Sequence, residues 1–173
     1  VLLSDRSDIS ILMVGNGPVR ESLIKKAERL GLSNIHFKNS PFDEMRDLMS
    51  ITYASLVVLR DIPMTRKMRL SKAVPPLSCG VPVIYAGFGE TSEILQQNNA
   101  GIVVKPEKPN ELAKAIIKIS DNISLRNEMS ISCRKFALRD FSWSSIVESW
   151  LCQIKAIQEG KDPVKFYSST ERN

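Results

Sequence analysis

The residues with most chemical potential lie in the middle of the chain, from Arg69 to Glu90. Ser71 and Lys72 there open a short helix that ends at a Cys79-Gly80 turn, and an apolar strand, Val81 to Tyr85, follows. Just upstream, Arg60 to Arg69 holds four cations and one acid, Asp61. That loop leaves a preceding apolar strand, Ala54 to Leu59. The carboxyl end of a parallel strand is where open α/β sheets bind ligands. A helix entry beside cations can meet a phosphorylated ligand through backbone N–H groups and charge. A second candidate is Gly15-Asn16-Gly17-Pro18. It lacks the third glycine of a dinucleotide fingerprint and is followed by no P-loop Gly-Lys-Ser/Thr. It reads either as a tight strand-to-helix turn or as a turn that lets a ligand approach the backbone.

Other chemistries find little support. His36 is the only histidine and sits in an apolar run, so it is expected to face a packed layer, and no metal site is expected. Cys79, Cys133 and Cys152 show no metal-ligand or redox spacing and are expected to be reduced and mostly buried. The net charge of +5 is scattered over predicted helices, and aromatics are only 6% of residues. No dense basic stripe is interleaved with aromatics, so nucleic acid is not expected as a partner. No apolar run is long enough to span a membrane.

The elements that must position these residues follow from periodicity. Ile9 to Gly15, Asn34 to Lys38, Ala54 to Leu59, Val81 to Tyr85 and Gly101 to Val104 read as short strands, the first of them buried. Helices alternate with them. Pro18 is expected at the first position of one, Ser40 as the N-cap of the next with Pro41 at N1, and Ser144 or Ser145 as the cap of the last. Pro75-Pro76 falls inside the central helix, where proline costs about 3 kcal/mol. Regular helix is therefore expected from Pro75, with Ser71 to Val74 less regular. The alternation predicts an α/β fold, a doubly wound parallel sheet in a single domain over residues 1–158, with a polar tail at 159–173. With 173 residues, the chain can bury one core. Val1-Leu2-Leu3 followed by a polar run reads as the tail of a helix, so a longer polypeptide is expected, with the first strand and helix of this domain upstream of Val1.

The ordered set VGNGP, ESLIKKAERLGLSNIHFKNSPFDEMRDLMSITYASLVVLRD, LSKAVPPLSCGVPVI, GETSEIL and NAGIVVKPEKPNELAKAI resembles the C-terminal, nucleotide-sugar-binding half of a family 4 (group 1) glycosyltransferase. The likeness covers about residues 9–155. It is most similar to bacterial surface-polysaccharide enzymes with a P-S-K-x-F-E-Y-M-A-C-G-x-P-V-I stretch. The resemblance implies one Rossmann-like half of a GT-B fold. It implies retaining transfer of a sugar from a nucleoside-diphosphate donor, with no cofactor and no metal. It implies an N-terminal acceptor domain as partner, a cytoplasmic location, and contact with the inner membrane face if the acceptor is lipid-linked.

Carried over position by position, the resemblance implies that Leu70 and Ser71 hold the donor phosphates through backbone N–H groups, and that Lys72 is a phosphate or sugar partner. Lys38, Asn39 and Ser40 would bracket the base, and Gly15 and Gly17 would let the backbone approach the donor. The family's paired glutamates fall on Lys67 and Pro75. Pro75 cannot accept a ribose hydrogen bond through its side chain; Asp61 or Glu90 could supply a carboxylate instead. The diphosphate-clamping Arg and Lys of the family fall upstream of Val1, so the isolated chain is expected to be inactive. The alternative is a catalytically degenerate binding or scaffold module of the same fold. A nucleotide-sugar epimerase is a weaker third reading.

Overall fold

The computed structural model describes residues 2–68 and 71–160. Leu70, expected at the phosphate loop, lies outside the described residues, as do Arg69 and most of the polar tail. The elements run β1 (Ile11–Val14), α1 (Arg20–Arg29), β2 (Ile35–Lys38), α2 (Met45–Ile51), β3 (Ser55–Val58), α3 (Pro63–Arg66), α4 (Val74–Ser78), β4 (Val83–Ala86), α5 (Glu90–Gln97), β5 (Gly101–Val104), α6 (Pro109–Ser120), α7 (Ile123–Phe141) and α8 (Trp143–Gln158). Every strand pairing is parallel. The strands form two hydrogen-bonded ladders, β1-β2 and β3-β4-β5.

The central strand β4 is apolar because both of its faces are covered. Val83, Ile84 and Tyr85 are wholly inaccessible. On one face Val83 and Tyr85 pack with Leu77 of α4, Leu95 of α5, and Cys133 and Phe136 of α7. On the other, Ile84 meets Ala115 and Ile119 of α6 and Met129 of α7. Helices on both faces of a parallel sheet are what the alternation predicts. The sequence places every strand: β5 keeps its expected bounds, β1, β2 and β3 are shortened by one to three residues, and β4 starts two residues later than expected and ends one residue later, at Ala86.

Several local expectations need correction. The strand β1 is not buried: Leu12, Met13 and Val14 are 43%, 41% and 37% exposed. His36 is exposed rather than packed, because β2 half-buries Ile35 and Phe37 on the opposite face. Cys133 is buried, but Cys79 and Cys152 are exposed. Pro18 lies ahead of α1, whose N-cap is Val19. A 3-10 turn, Phe42–Glu44, precedes α2, and its cap position is Pro41, so Ser40 does not cap. The cap of α8 is Ser142, whose hydroxyl accepts from the Ser145 backbone N–H at 3.2 Å.

Candidate nucleotide-sugar site

The loops that could meet a ligand follow the strand ends. In the β3-β4-β5 ladder, Leu59 donates its backbone N–H to the Ala86 carbonyl (3.0 Å), and the chain then leaves the sheet at Arg60. Within the following loop, Arg66 makes two hydrogen bonds to Asp61, at 2.8 and 3.0 Å. The same guanidinium stacks 5.1 Å from the centre of the Phe88 ring. Asp61 is held below its ordinary carboxylate pKa by the hydrogen bond from Arg66. It is thus committed to an ion pair.

The loop after β4 is fitted against this one. Gly89 has φ +83°, and a Cβ there would stand 2.2 Å from the Arg66 carbonyl oxygen. Only glycine satisfies both that backbone conformation and that approach. The buried Tyr85 hydroxyl donates to the Phe88 carbonyl at 3.3 Å and ties the loop to the sheet. Burial pushes the Tyr85 pKa up, so the hydroxyl keeps its proton.

The entry to α4 is a 3-10 turn over Ser71–Ala73. Regular helix begins at Val74, with proline at its first positions, one residue from the expected start. Early helical positions need no intrahelical N–H, which is why two prolines are tolerated. The helix is five residues long, so its dipole adds little and the first turn must act through individual groups. Ser71, Lys72 and Pro75 are exposed. Lys67 is also exposed, and among the described residues neither Lys67 nor Lys72 has an ion-pair partner. The far end of α4 is held by α7: Ser130 Oγ donates to the Gly80 carbonyl at 2.6 Å, and Arg134 donates to the Ser78 carbonyl. Sequence reasoning missed this support, because Ser130 and Arg134 lie 50 and 56 residues from their partners and read as ordinary helix surface.

An apolar cavity of about 210 Å³ lies behind Ser71, bounded by Ala73, Leu77, Leu95, Phe136 and Phe141 among others. Among the described residues its lining holds no charged side chain, so they offer a diphosphate no counter-charge there. It belongs to the core that carries α4.

The β1-β2 ladder carries the other predicted residues. Gly15 has φ +146° and donates its N–H to the Lys38 carbonyl at 3.0 Å. A Cβ on Gly15 or Gly17 would meet nothing within 4 Å, so the turn is open. This brings Gly15 beside Lys38, from which Asn39 and Ser40 follow in the chain. Lys38 Nζ pairs with Glu44 at 3.0 Å, and that hydrogen bond first, with the Ser40 hydroxyl second, holds the Glu44 pKa down. Ser40 Oγ is nevertheless buried without a hydrogen bond of normal geometry. Lys38 is therefore not a free cation, and this corner offers mainly backbone groups. No cluster of potential metal ligands occurs among the described residues.

A parallel sheet with helices on both faces defines a Rossmann-like α/β domain of the kind found in GT-B folds. The family model for glycosyl transferases group 1 matches residues 2–136, and the chain belongs to that family. The O-antigen chain mannosyltransferase C of Escherichia coli is 23% identical over 163 residues, covering 91% of this chain and 42% of that protein. An uncharacterized glycosyltransferase of Methanocaldococcus jannaschii is 25% identical, covering 81% of this chain and 38% of its own length. The chain thus spans about two-fifths of these relatives. Among solved structures, Anabaena HepE in complex with UDP-glucose superposes with a TM-score of 0.71 at 19% identity, covering 92% of this chain and 44% of that one. Staphylococcus aureus TarM gives 0.70 at 17%, covering 87% and 30%.

Proposed function

We propose that the chain is the donor-binding half of a retaining glycosyltransferase that acts in cell-surface glycan synthesis with a nucleoside-diphosphate-sugar donor. The observation that carries this reading is that Ser71 and Lys72 stand exposed at the 3-10 entry to α4, with no ion-pair partner for Lys72 among the described residues; Lys67, likewise exposed and without such a partner, precedes them in the chain. Family membership and a fold shared with an enzyme crystallised with UDP-glucose support the donor class. Breaking the glycosidic bond to the diphosphate develops negative charge on the leaving oxygen. Preorganised cations and backbone N–H groups stabilise such charge. Lys72 offers charge-assisted hydrogen bonds to a phosphate oxygen, and the Ser71 backbone lies beside it. Gly15, Gly17, Lys38, Asn39 and Ser40 form the base-side wall through main-chain groups. Neither metal nor organic cofactor enters this scheme.

The acceptor is taken up by an N-terminal domain of the longer protein. That protein is cytoplasmic, and a lipid-linked acceptor would bring it to the inner face of the membrane. Titration of the chain with UDP, GDP and ADP, followed by NMR, tests the reading. Shifts at residues 38–40 and 71–75 with one of them are expected, without sugar transfer by the chain alone. Silence at both segments with all three overturns it.

A second reading, a catalytically degenerate module, is favoured by one observation. Lys67 and Pro75 stand where the family's glutamates are expected, and the nearby Asp61 is consumed by Arg66. Pro75→Glu in the complete protein separates the two. An active parent supports catalysis, whereas an inert parent that gains nucleotide affinity supports the module.

A further inference from the structure

Helix α7 ties together the chain just ahead of three strands. Arg126 donates to the Tyr53 carbonyl before β3 (3.4 Å), Ser130 to the Gly80 carbonyl before β4 (2.6 Å), and the Cys133 thiol to the Ala100 carbonyl before β5 (3.2 Å). These three donors are spaced four and three residues apart, so they share one face of the helix. Arg134, four residues beyond Ser130, donates to the Ser78 carbonyl. As the crossover between the parallel strands β3 and β4, α4 descends from the carboxyl end of the sheet to its amino end. Its foot is closely specified. Gly80 has φ +70°, its N–H bonds the Leu77 carbonyl at 3.0 Å, and the Val81 N–H bonds the Pro76 carbonyl at 2.8 Å, the two bonds of a Schellman ending. A Cβ on Gly80 would stand 3.2 Å from Ser130 Oγ, so α7 is fitted closely to that turn. The head of α4 is less constrained. It enters through the 3-10 turn Ser71–Ala73, and the apolar cavity lies directly behind that turn.

We propose that Ser130 and Arg134 are positioning residues for the ligand-facing turn: by fixing the foot of α4 they set where Ser71 and Lys72 stand. The role rests on the donor reading above. Its physical basis is the build of α4. The helix has five residues, and Pro75 and Pro76 are two of them. Proline fixes φ near −65° and supplies no N–H, so the segment is stiff in shape but has few hydrogen bonds of its own. A stiff short helix moves as one piece, and a shift at its foot is carried to its head. Behind the head, a cavity of about 210 Å³ leaves room for that movement. Ser130 and Arg134 touch neither Ser71 nor a ligand. They act through the Gly80 and Ser78 carbonyls, and a hydrogen bond to a charged donor such as Arg134 is among the stronger ones available. Leu77, buried against Cys133 and Phe136, holds the middle of α4 to the same helix. Placement of the phosphate-side groups is thereby delegated to a helix at the opposite end of the sheet.

The test compares Ser130→Ala, Arg134→Met, Arg134→Lys and the control Lys135→Met, an exposed neighbour on α7. Calorimetry with UDP, GDP and ADP is run well below the melting temperature, where a loss of stability alone leaves the folded fraction and its affinity unchanged. Ser130→Ala and Arg134→Met should move the amide resonances of Ser71–Ala73 in the free chain. Each should weaken the nucleoside diphosphate that the parent chain binds by about tenfold, since a misplacement of about 1 Å has effects of this order or larger. Arg134→Lys, which keeps a charged donor, should recover most of the affinity, and Lys135→Met should leave it unchanged. In a double-mutant cycle, Arg134→Met should cost clearly less in a Lys72→Ala background, as expected for residues that act on one another's placement. Unchanged affinity in both Ser130→Ala and Arg134→Met overturns the positioning role and leaves the donor reading standing. Equal weakening by Lys135→Met, or strict additivity with Lys72→Ala, also overturns it, because either marks a general loss of positive charge. A parent chain that binds none of the three nucleotides overturns the donor reading and the positioning role with it. Arg134 is exposed, so its variants fold even if Ser130→Ala does not.

Discussion

Lys72 is the side chain on which the donor assignment rests most directly. It is exposed and unpaired among the described residues, so its removal disturbs no ion pair there. A hydrogen bond to a charged group contributes about 1.5–3 kcal/mol. Lys72→Ala should therefore weaken nucleoside diphosphate binding by about tenfold or more, with no change in thermal stability; calorimetry and a melting curve check both. The cysteines provide a second test at this scale. Cys133 is inaccessible, its thiol donates to the Ala100 carbonyl at 3.2 Å, and burial pushes its pKa up to about 12. The thiolate is the reactive form. Of the three cysteines, Cys79 and Cys152 should react with a disulfide reagent in the native chain at pH 8, and Cys133 only after denaturation. Fast labelling of Cys133 would contradict the packing of α7 on β4.

Among the elements, the loops after β3 and β4 behave as one unit. The Asp61–Arg66 pair stiffens the first, Phe88 stacks on its guanidinium, and Gly89 admits its backbone. Gly89→Ala would add a Cβ in an unfavourable backbone conformation, 2.2 Å from a carbonyl oxygen. We expect a loss of about 2 kcal/mol or more, measured by urea unfolding, together with weaker nucleotide binding. The sequence announces both glycines of that turn but not the reason for the second. The approach comes from a loop more than 20 residues upstream, and no local pattern encodes it. The entry to α4 was more legible. Pro75-Pro76 dictates where regular helix can start, because proline lacks an N–H wherever it sits.

At the scale of the whole molecule, the described structure is closed around β4 and open elsewhere. The last helix, α8, has no buried residue. Trp143, Val147, Trp150, Leu151, Ile154 and Ile157 recur at helical spacing and are each at least 44% exposed. Both tryptophans should be readily quenched by acrylamide in this chain, and a blue-shifted, protected emission would show the face to be covered. Together with the exposed side chains of β1 and β3, this apolar face separates the finished core of the domain from surfaces that the described residues leave uncovered.

What the sequence determined by itself was the alternation of strands and helices, the α/β class, the proline-limited start of α4, and the candidate residues near Gly15, Lys38 and Ser71. Each depends on periodicity or on the covalent character of a residue, which act locally. The tertiary structure alone decided that Asp61 is spent on Arg66, that Lys38 is paired with Glu44, that β1 is exposed, and that Ser130 and Arg134 hold the Gly80 turn. The partners of a charge, and the cover over a strand, come from segments distant in the chain. They are set by which surfaces the packed sheet brings together, and no local pattern records them.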